Sequence, residues 1–255
     1  MAVARRERIL TMINSRGSVS LKELEHAFPE VSSMTLRRDL QYLDEQGLAI
    51  RVRRGARSAQ NLRGTGDVEP VFTMRMVENM DAKERIAEAA LPLIQSGRSL
   101  FLDAGTTINR LARALPDADF SIISHAPNIA MEISKRQRTS LFMLGGQLIK
   151  DNLSIVGEAA MHSLEPFNID TAVMSASGYT PQSGFTCGNH DERSLKEAVI
   201  RKARRTILLM DSSKLGKSLP LTFARPADID HLVIDIDRSD MYEQLLNDGL
   251  NIIRA

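Results

Sequence analysis

The chain has 255 residues, enough to bury a small core beside a medium one, and its 33 Lys+Arg nearly balance 32 Asp+Glu for a formal net charge of +1. A single cysteine, Cys187, excludes an internal disulfide and a cysteine-built zinc cluster, and His26, His125, His162, His190 and His231 show no metal-ligand spacing. Nothing reads as a secretory leader and no apolar run reaches transmembrane length, so a reducing cytoplasm is expected and a membrane is not.

The charge is unevenly spread. Residues 1–63 hold 12 Lys+Arg against 7 Asp+Glu, a balance of +5; the rest holds 21 against 25, a balance of −4. A basic head on a mildly acidic body fits a nucleic-acid module carried by a ligand-sensing body.

The head opens with Arg6 to Ser15, where Ile9, Leu10 and Ile13 form a helical stripe ending at Gly17. Ser20-Leu-Lys-Glu23 is a capping box, in which the Ser20 hydroxyl serves one orphan N–H and Glu23 reaches back to another. A helix from Leu21 to Phe28 is stopped by Pro29, and a third helix starts near Ser32 or Ser33. In that third helix Leu36, Leu40 and Leu43 share one face, while Met34, Arg38 and Gln41, flanked by Arg37 and Tyr42, occupy the other. Apolar on one side, the helix offers cations for phosphate and forked donors for base edges on the other. Three short helices with such turns make a helix-turn-helix. Ser33, Met34, Thr35, Arg37, Arg38, Gln41 and Tyr42 are its candidate DNA contacts.

Gly47 ends the helix. Leu48-Ala-Ile-Arg-Val-Arg53 alternates as a strand does, Arg54-Gly55 supplies a turn, and Ala56-Arg57-Ser58 is the candidate returning strand. This hairpin is a wing. Arg51, Arg53 and Arg54, with Arg57, would set it against backbone or minor groove.

Residues 1–60 are therefore expected to be the DNA-binding domain and 61–80 a linker or connector, polar through Ser58–Asp67 and partly helical over Glu69–Asn79. Residues 81–255 form the body. Asp81-Ala-Lys-Glu84 looks like a capped start to a helix running to about Gln95. Apolar runs then alternate with helical patterns. The runs are Ser99–Asp103, Phe120–Ser124, Ser140–Leu144, Thr171–Ser175, Thr206–Asp211 and His231–Asp235; the helices are Ile108–Leu115, Asn128–Lys135 and Glu192–Ala203. Such alternation implies an α/β, Rossmann-like domain with a mostly parallel sheet covered on both faces, and ligands at the carboxyl ends of its strands.

Four segments there carry polar chemistry. Asp103-Ala-Gly-Thr-Thr107 sets a glycine and two hydroxyls between a strand and a helix N-terminus, which favours an anion such as phosphate. Gly145-Gly146 permits close backbone approach, Ser175-Ala-Ser-Gly178 opens a loop to His190, and Lys214 of Asp211-Ser-Ser-Lys214 can hold an anion as a point charge.

These segments carry a resemblance. Met34-Thr-Leu-Arg-Arg-Asp-Leu40, Lys83-Glu-Arg-Ile-Ala-Glu-Ala-Ala90, Leu102-Asp-Ala-Gly-Thr-Thr107, Leu144-Gly-Gly146, Ser177-Gly178 and Leu209-Met-Asp-Ser-Ser-Lys214, in order, resemble the DeoR family of bacterial transcription regulators over essentially the whole chain. The resemblance implies a winged helix-turn-helix and a sensor domain similar to ribose-5-phosphate isomerase. It implies an oligomer, usually a dimer or tetramer, that represses a sugar-catabolism operon and leaves double-stranded operator DNA when a phosphorylated sugar binds. No cofactor or metal is implied. Carried across, Asp103, Gly105, Thr106 and Thr107 would hold the phosphate, Gly145, Gly146 and Gly178 would line the pocket, Asp211 and Lys214 would meet phosphate or hydroxyls, and Lys196 would face the same space. Cytoplasmic, nucleoid-associated residence would follow.

Three segments depart from the family pattern. Arg53-Arg54-Gly55 stands where His-Gly-Gly is usual, Ser124-His125 where Thr-Asn is usual, and Val173-Met174-Ser175-Ala176 where Phe-Leu-Gly-Ala is usual. His125 thereby becomes a candidate effector contact. An isomerase needs a positioned base and proton donor, and although Asp103, Glu192 or Lys214 have the chemistry, nothing in the sequence pairs them. An architectural DNA-binding protein would account for the head but not for a body of this size.

Overall fold

The computed structural model describes residues 2–45, 48–52, 55–58, 72–236 and 240–255. The chain divides into two units, Met1–Glu78 and Asn79–Ala255. Most of the expected connector, residues 61–71, lies outside the described residues.

The first unit runs α1 (Ala2–Arg16), β1 (Ser18–Ser20), α2 (Leu21–Ala27), α3 (Ser33–Glu45), β2 (Ala49–Val52), β3 (Gly55–Ser58) and α4 (Phe72–Val77). Ile9 and Ile13 of α1, Leu24 of α2, and Leu36, Leu40 and Leu43 of α3 meet in one core. Each such side chain contributes roughly 1.5–3 kcal/mol by leaving water. The capping box forms as the sequence implies: Glu23 N–H donates to Ser20 Oγ (3.2 Å) and Ser20 N–H donates to Glu23 Oε2 (2.7 Å). The start of α3 is capped by Ser32, whose Oγ accepts Thr35 N–H.

The wing is one strand larger than the sequence suggests. β1 joins it, giving the antiparallel order β1-β3-β2. Gly55 is not a turn residue but the first of β3, opposite both Ser20 and Val52. A Cβ there would lie 2.0 Å from the Val19 carbonyl oxygen, so only glycine lets the strands pair.

The second unit opens with α5 (Met80–Ala90), then β4 (Ser99–Leu102), α6 (Thr106–Ala114), β5 (Ser121–Ser124), α7 (Pro127–Ile133) and β6 (Ser140–Met143). A hairpin of β7 (Gln147–Ile149) and β8 (Ser154–Val156) leads to α8 (Glu158–Leu164) and β9 (Ile169–Ser175). β10 (Gly178–Thr180), β11 (Gly184–Cys187), α9 (His190–Lys202), β12 (Ala203–Met210), β13 (Leu221–Ala224), β14 (His231–Ile234), α10 (Asp240–Asn247) and β15 (Ile252–Arg254) complete it.

Among the described residues, seven strands form one wholly parallel sheet, ordered β15-β14-β12-β9-β4-β5-β6. Its strands are apolar on both faces. In β4, Leu100 and Leu102 join Ile108, Leu111 and Ile129 of α6 and α7 on one side, while Phe101 joins Leu164, Leu195 and Val199 of α8 and α9 on the other. The chain leaves β4 toward β5 and β6, then returns with β9 on the opposite flank. The crevice between the carboxyl ends of β4 and β9 is the topological switch point, where open parallel sheets accept ligands. β10, β11 and β13 form a separate antiparallel sheet.

The start of α5 differs from expectation. The helix begins at Met80 after Asn79, which adopts the left-handed region (φ 51°) and makes no capping bond, so Asp81 is not the cap. The helix also stops at Ala90 rather than near Gln95; a 3-10 turn over Leu91–Leu93 carries Pro92, which has no N–H to continue the ladder.

Candidate functional site

The winged unit presents the solvent face of α3. Ser33, Met34, Arg37, Arg38, Gln41 and Tyr42 are exposed, Met34 to 63%, and Thr35 is half-buried. An open groove runs between α2, α3 and β2, lined by Lys22, Arg37, Leu40, Asp44, Arg51 and Val52. Asp44 Oδ1 accepts the Arg51 backbone N–H at 2.9 Å and so fixes the wing strand against the helix. Ser33 Oγ donates to Glu25 Oε1, which ties the start of α3 to α2. Arg53, Arg54 and the side chain of Arg57 lie outside the described residues.

What orients this helix comes from residues far away in the chain. Asp39, on its inner side and 1% exposed, accepts from Arg5 Nε at 2.6 Å and Arg6 Nε at 2.8 Å, both from α1. The Arg6 guanidinium also lies 3.9 Å over the Tyr42 ring. Lys22, which the sequence did not single out, brings a further cation to the groove.

In the second unit the first candidate residue lies at the switch point. Asp103 follows β4 and is fully buried. Its Oδ2 accepts the backbone N–H (2.8 Å) and Oγ–H (2.9 Å) of Ser175 at the end of β9 and pairs with Lys196 Nζ from α9; Oδ1 lies 3.0 Å from His125 Nε2, just beyond β5. Lys196 Nζ also donates to the Ser175 carbonyl (3.0 Å) and lies 3.5 Å from Glu192 Oε1. Glu192 accepts from Asn152 Nδ2, whose Oδ1 accepts from Ser154. Polar groups from both halves of the sheet thus meet in one buried chain. Burial pushes the Asp103 carboxyl up, yet Lys196 and His125 outweigh it and hold Asp103 below the usual carboxylate range. Burial likewise opposes the Lys196 charge, and Asp103 and Glu192 raise it above its ordinary value.

His125 is held on both sides. Nδ1 lies 3.0 Å from the Ile155 carbonyl, an acceptor, so Nδ1 carries a proton. Nε2 is 3.1 Å from the Ala104 N–H and 3.0 Å from Asp103. A neutral ring accepts from Ala104; a doubly protonated one donates to Asp103. Its ring also stacks on Phe101, at 5.7 Å between centroids.

Gly105 brings β4 close to β9: a Cβ would stand 2.7 Å from Ser175 Oγ. No side chain caps α6, so its first N–H groups stay available beside the buried Thr106 and Thr107. Gly145 and Gly146 follow β6 and are exposed; a Cβ on Gly146, at φ 144°, would strike the Val156 carbonyl at 2.5 Å. Gly178 is buried, and a Cβ there would meet the Lys217 carbonyl at 2.5 Å. It therefore packs the β10 hairpin on the loop after Lys214.

Asp211 and Lys214 form a second group beyond β12. Asp211 Oδ1 accepts from Asn79 Nδ2 (3.0 Å) and from Ser213 Oγ. Burial raises the Asp211 carboxyl, but Ser213, Lys214 and the buried Lys83 bring it below its ordinary value. Of the candidate residues, then, Asp103 touches both His125 and Lys196, Asp211 and Lys214 gather at the same sheet edge, and Gly145 and Gly146 lie out beyond β6. Sequence reasoning missed Asn79 and Lys83 on α5. The segment Lys83–Ala90 carries the family resemblance, but the spacing gives Lys83 no site role.

Comparison with known proteins accords with this architecture. A family model described as the DeoR C terminal sensor domain matches residues 78–236, and one described as a DeoR-like helix-turn-helix domain matches residues 5–61. The chain is 31% identical to the putative aga operon transcriptional repressor of Escherichia coli O157:H7, over 98% of this chain and 92% of that one. It is 32% identical to the HTH-type transcriptional regulator IolR of Bacillus subtilis, over 97% of each. It is 28% identical to the glycerol-3-phosphate regulon repressor of Escherichia coli K12, over 94% and 93%. Among solved structures, ribose 5-phosphate isomerase A from Methanocaldococcus jannaschii covers 55% of this chain, with 56% of its own, at 19% identity and a TM-score of 0.41.

Proposed function

The chain belongs to the DeoR family of transcription regulators, and we propose that it represses a carbohydrate-metabolism operon and leaves its operator when a phosphorylated sugar enters the crevice at the carboxyl edge of the parallel sheet. The observation that carries this reading is the start of α6. Uncapped by any side chain, flanked by the buried Thr106 and Thr107 and set beside the switch point, it offers unpaired N–H groups and the positive end of the helix dipole to a dianion. Asp211 and Lys214 would complete the site from β12, and Gly145, Gly146 and Gly178 would shape it.

Asp103, His125 and Lys196 would serve as its floor, linking β4, β5, β9 and α9. An effector that shifts any one of them moves the others. Asp103 already accepts from Ser175 and Lys196, so it is not a poised general base, which supports a sensor over an isomerase. On the DNA side, Arg37, Arg38, Gln41 and Met34 would enter the major groove, with Arg51 and Lys22 against the backbone. A homo-oligomer would match a two-fold operator.

Fluorescence anisotropy on DNA from upstream of its own gene, with and without a panel of sugar phosphates, tests the reading. Release by one compound supports it and names the effector. Specific binding that no compound weakens removes the sensor half.

A further inference from the structure

Among the described residues of the second unit, two amides carry buried atoms without a hydrogen-bond partner. Asn109 Oδ1 and both side-chain polar atoms of Asn128 are buried, and none forms a hydrogen bond. Asn109 is 3% exposed. Native interiors rarely leave such groups unpaired, because each then loses its hydration without compensation.

Their placement is not random. Asn109 lies on α6 and Asn128 on the neighbouring α7. Farther along the same two helices, Arg113 Nε donates to Glu132 Oε1 at 3.2 Å. Asn109 is four residues before Arg113 and Asn128 four before Glu132. Residues four apart share a helix face. The two amides therefore occupy the same α6–α7 seam one turn nearer the carboxyl edge of the sheet, with Thr106 and Thr107 three and two residues before Asn109.

We propose that Asn109 and Asn128 are specificity-determining residues that read the hydroxyl groups of the effector, whose anionic end sits on the first turn of α6. The assignment rests on the sensor reading above. Two amide oxygens require donors, and Asn128 Nδ2 requires an acceptor. A hydroxyl is both at once; the dianion of a phosphate monoester only accepts. The pair thus suits a polyhydroxylated ligand and discriminates against an anion that lacks hydroxyls.

The test uses the full chain on its operator DNA and compares wild type with Asn109→Leu, Asn128→Leu and the double variant, together with Asn→Ala versions in case the leucines do not fit. The probes are glycerol 3-phosphate, ribose 5-phosphate, fructose 6-phosphate and inorganic phosphate. Half-release concentration and the thermal midpoint of the unliganded protein are read for each. The expected result is that the variants need at least tenfold more of the sugar phosphate that releases wild type. The response to inorganic phosphate should move less than twofold, and the unliganded midpoint should hold or rise because unpaired amides are gone. An unchanged sugar-phosphate response with a lowered midpoint overturns the inference and makes the amides structural. Wild-type protein that no sugar phosphate releases overturns the sensor reading itself, and this inference with it.

Discussion

Lys196 and Asp103, 93 residues apart in the chain, form an ion pair in which neither side chain is more than 2% exposed. A buried pair gains little over a well-packed apolar substitute, but removing one partner strands a charge, at a cost of about 3–5 kcal/mol. Lys196→Met alone should lower the unfolding free energy read from urea titration by that amount. Adding Asp103→Asn should restore much of the loss, so the two changes will not be additive. A single Lys196→Met variant that unfolds at the wild-type midpoint would refute a structural role for the pair.

Two buried aspartates set a pH dependence. Asp103 and Asp211 are both held below the ordinary aspartate value of about 3.9. In acid the unfolded chain binds protons that the folded chain refuses, so stability rises with pH across that range. Their contribution is complete above the unfolded value and is lost as pH falls below it toward the folded one. Urea midpoints measured between pH 7 and pH 3 should fall mainly below about pH 4.5, and Asp211→Asn should flatten the fall.

On the recognition helix, Arg38 is exposed and projects from the face opposite Leu36, Leu40 and Leu43. Arg38→Ala should weaken operator binding. A contact to phosphate would reduce the salt slope by about one, whereas a contact to a base would relax specificity by roughly 1–3 kcal/mol at one position. Binding isotherms across a salt series, on operator and scrambled DNA, separate the two. Unchanged affinity on both would place Arg38 outside the interface.

Gly55 sits where a Cβ would overlap the Val19 carbonyl. Gly55→Ala should part β1 from β3 and cost more than 2 kcal/mol, within the range of overpacking. Thermal unfolding of the variant, followed with its DNA affinity, checks this. A midpoint equal to wild type would mean that the strands can separate freely.

Lys214→Ala and Thr106→Ala should each give a protein that holds its operator but needs at least tenfold more effector for release. Titrating sugar phosphate against the protein–DNA complex measures it. Normal release by both variants would move the pocket elsewhere.

Much of this was legible because it is local. The capping box needs only Ser20 and Glu23, and the stripe of Leu36, Leu40 and Leu43 follows from helical spacing alone. The long apolar runs around β4, β9 and β12 read as strands since both faces of a parallel sheet are buried. What stayed hidden depends on distant partners. β1 is three residues long and is a strand only because β3 reaches it. The strands of the β7–β8 hairpin and of the β10-β11-β13 sheet are also only three or four residues long. The role of Asp39 requires Arg5 and Arg6, more than 30 residues away. His125 could be picked out as a departure from the family pattern, yet its bonds reach Ile155 in β8 and Ala104 just beyond β4, which no spacing rule connects. Asn79 was passed over because Asp81 offered a more familiar cap.

The order of the sheet also governs how the second unit comes together during synthesis. β4 is made first yet ends in the middle, with β5 on one flank and β9 on the other. The half built from β4, β5 and β6 must therefore wait, its Phe101 face and one strand edge open, until the chain has passed through the β7–β8 hairpin and α8. Long-range parallel pairing is slow, and an uncovered apolar strand edge invites association with the wrong chain. How long that edge stays open is a kinetic property of the strand order, separate from the equilibrium free energy of the finished fold.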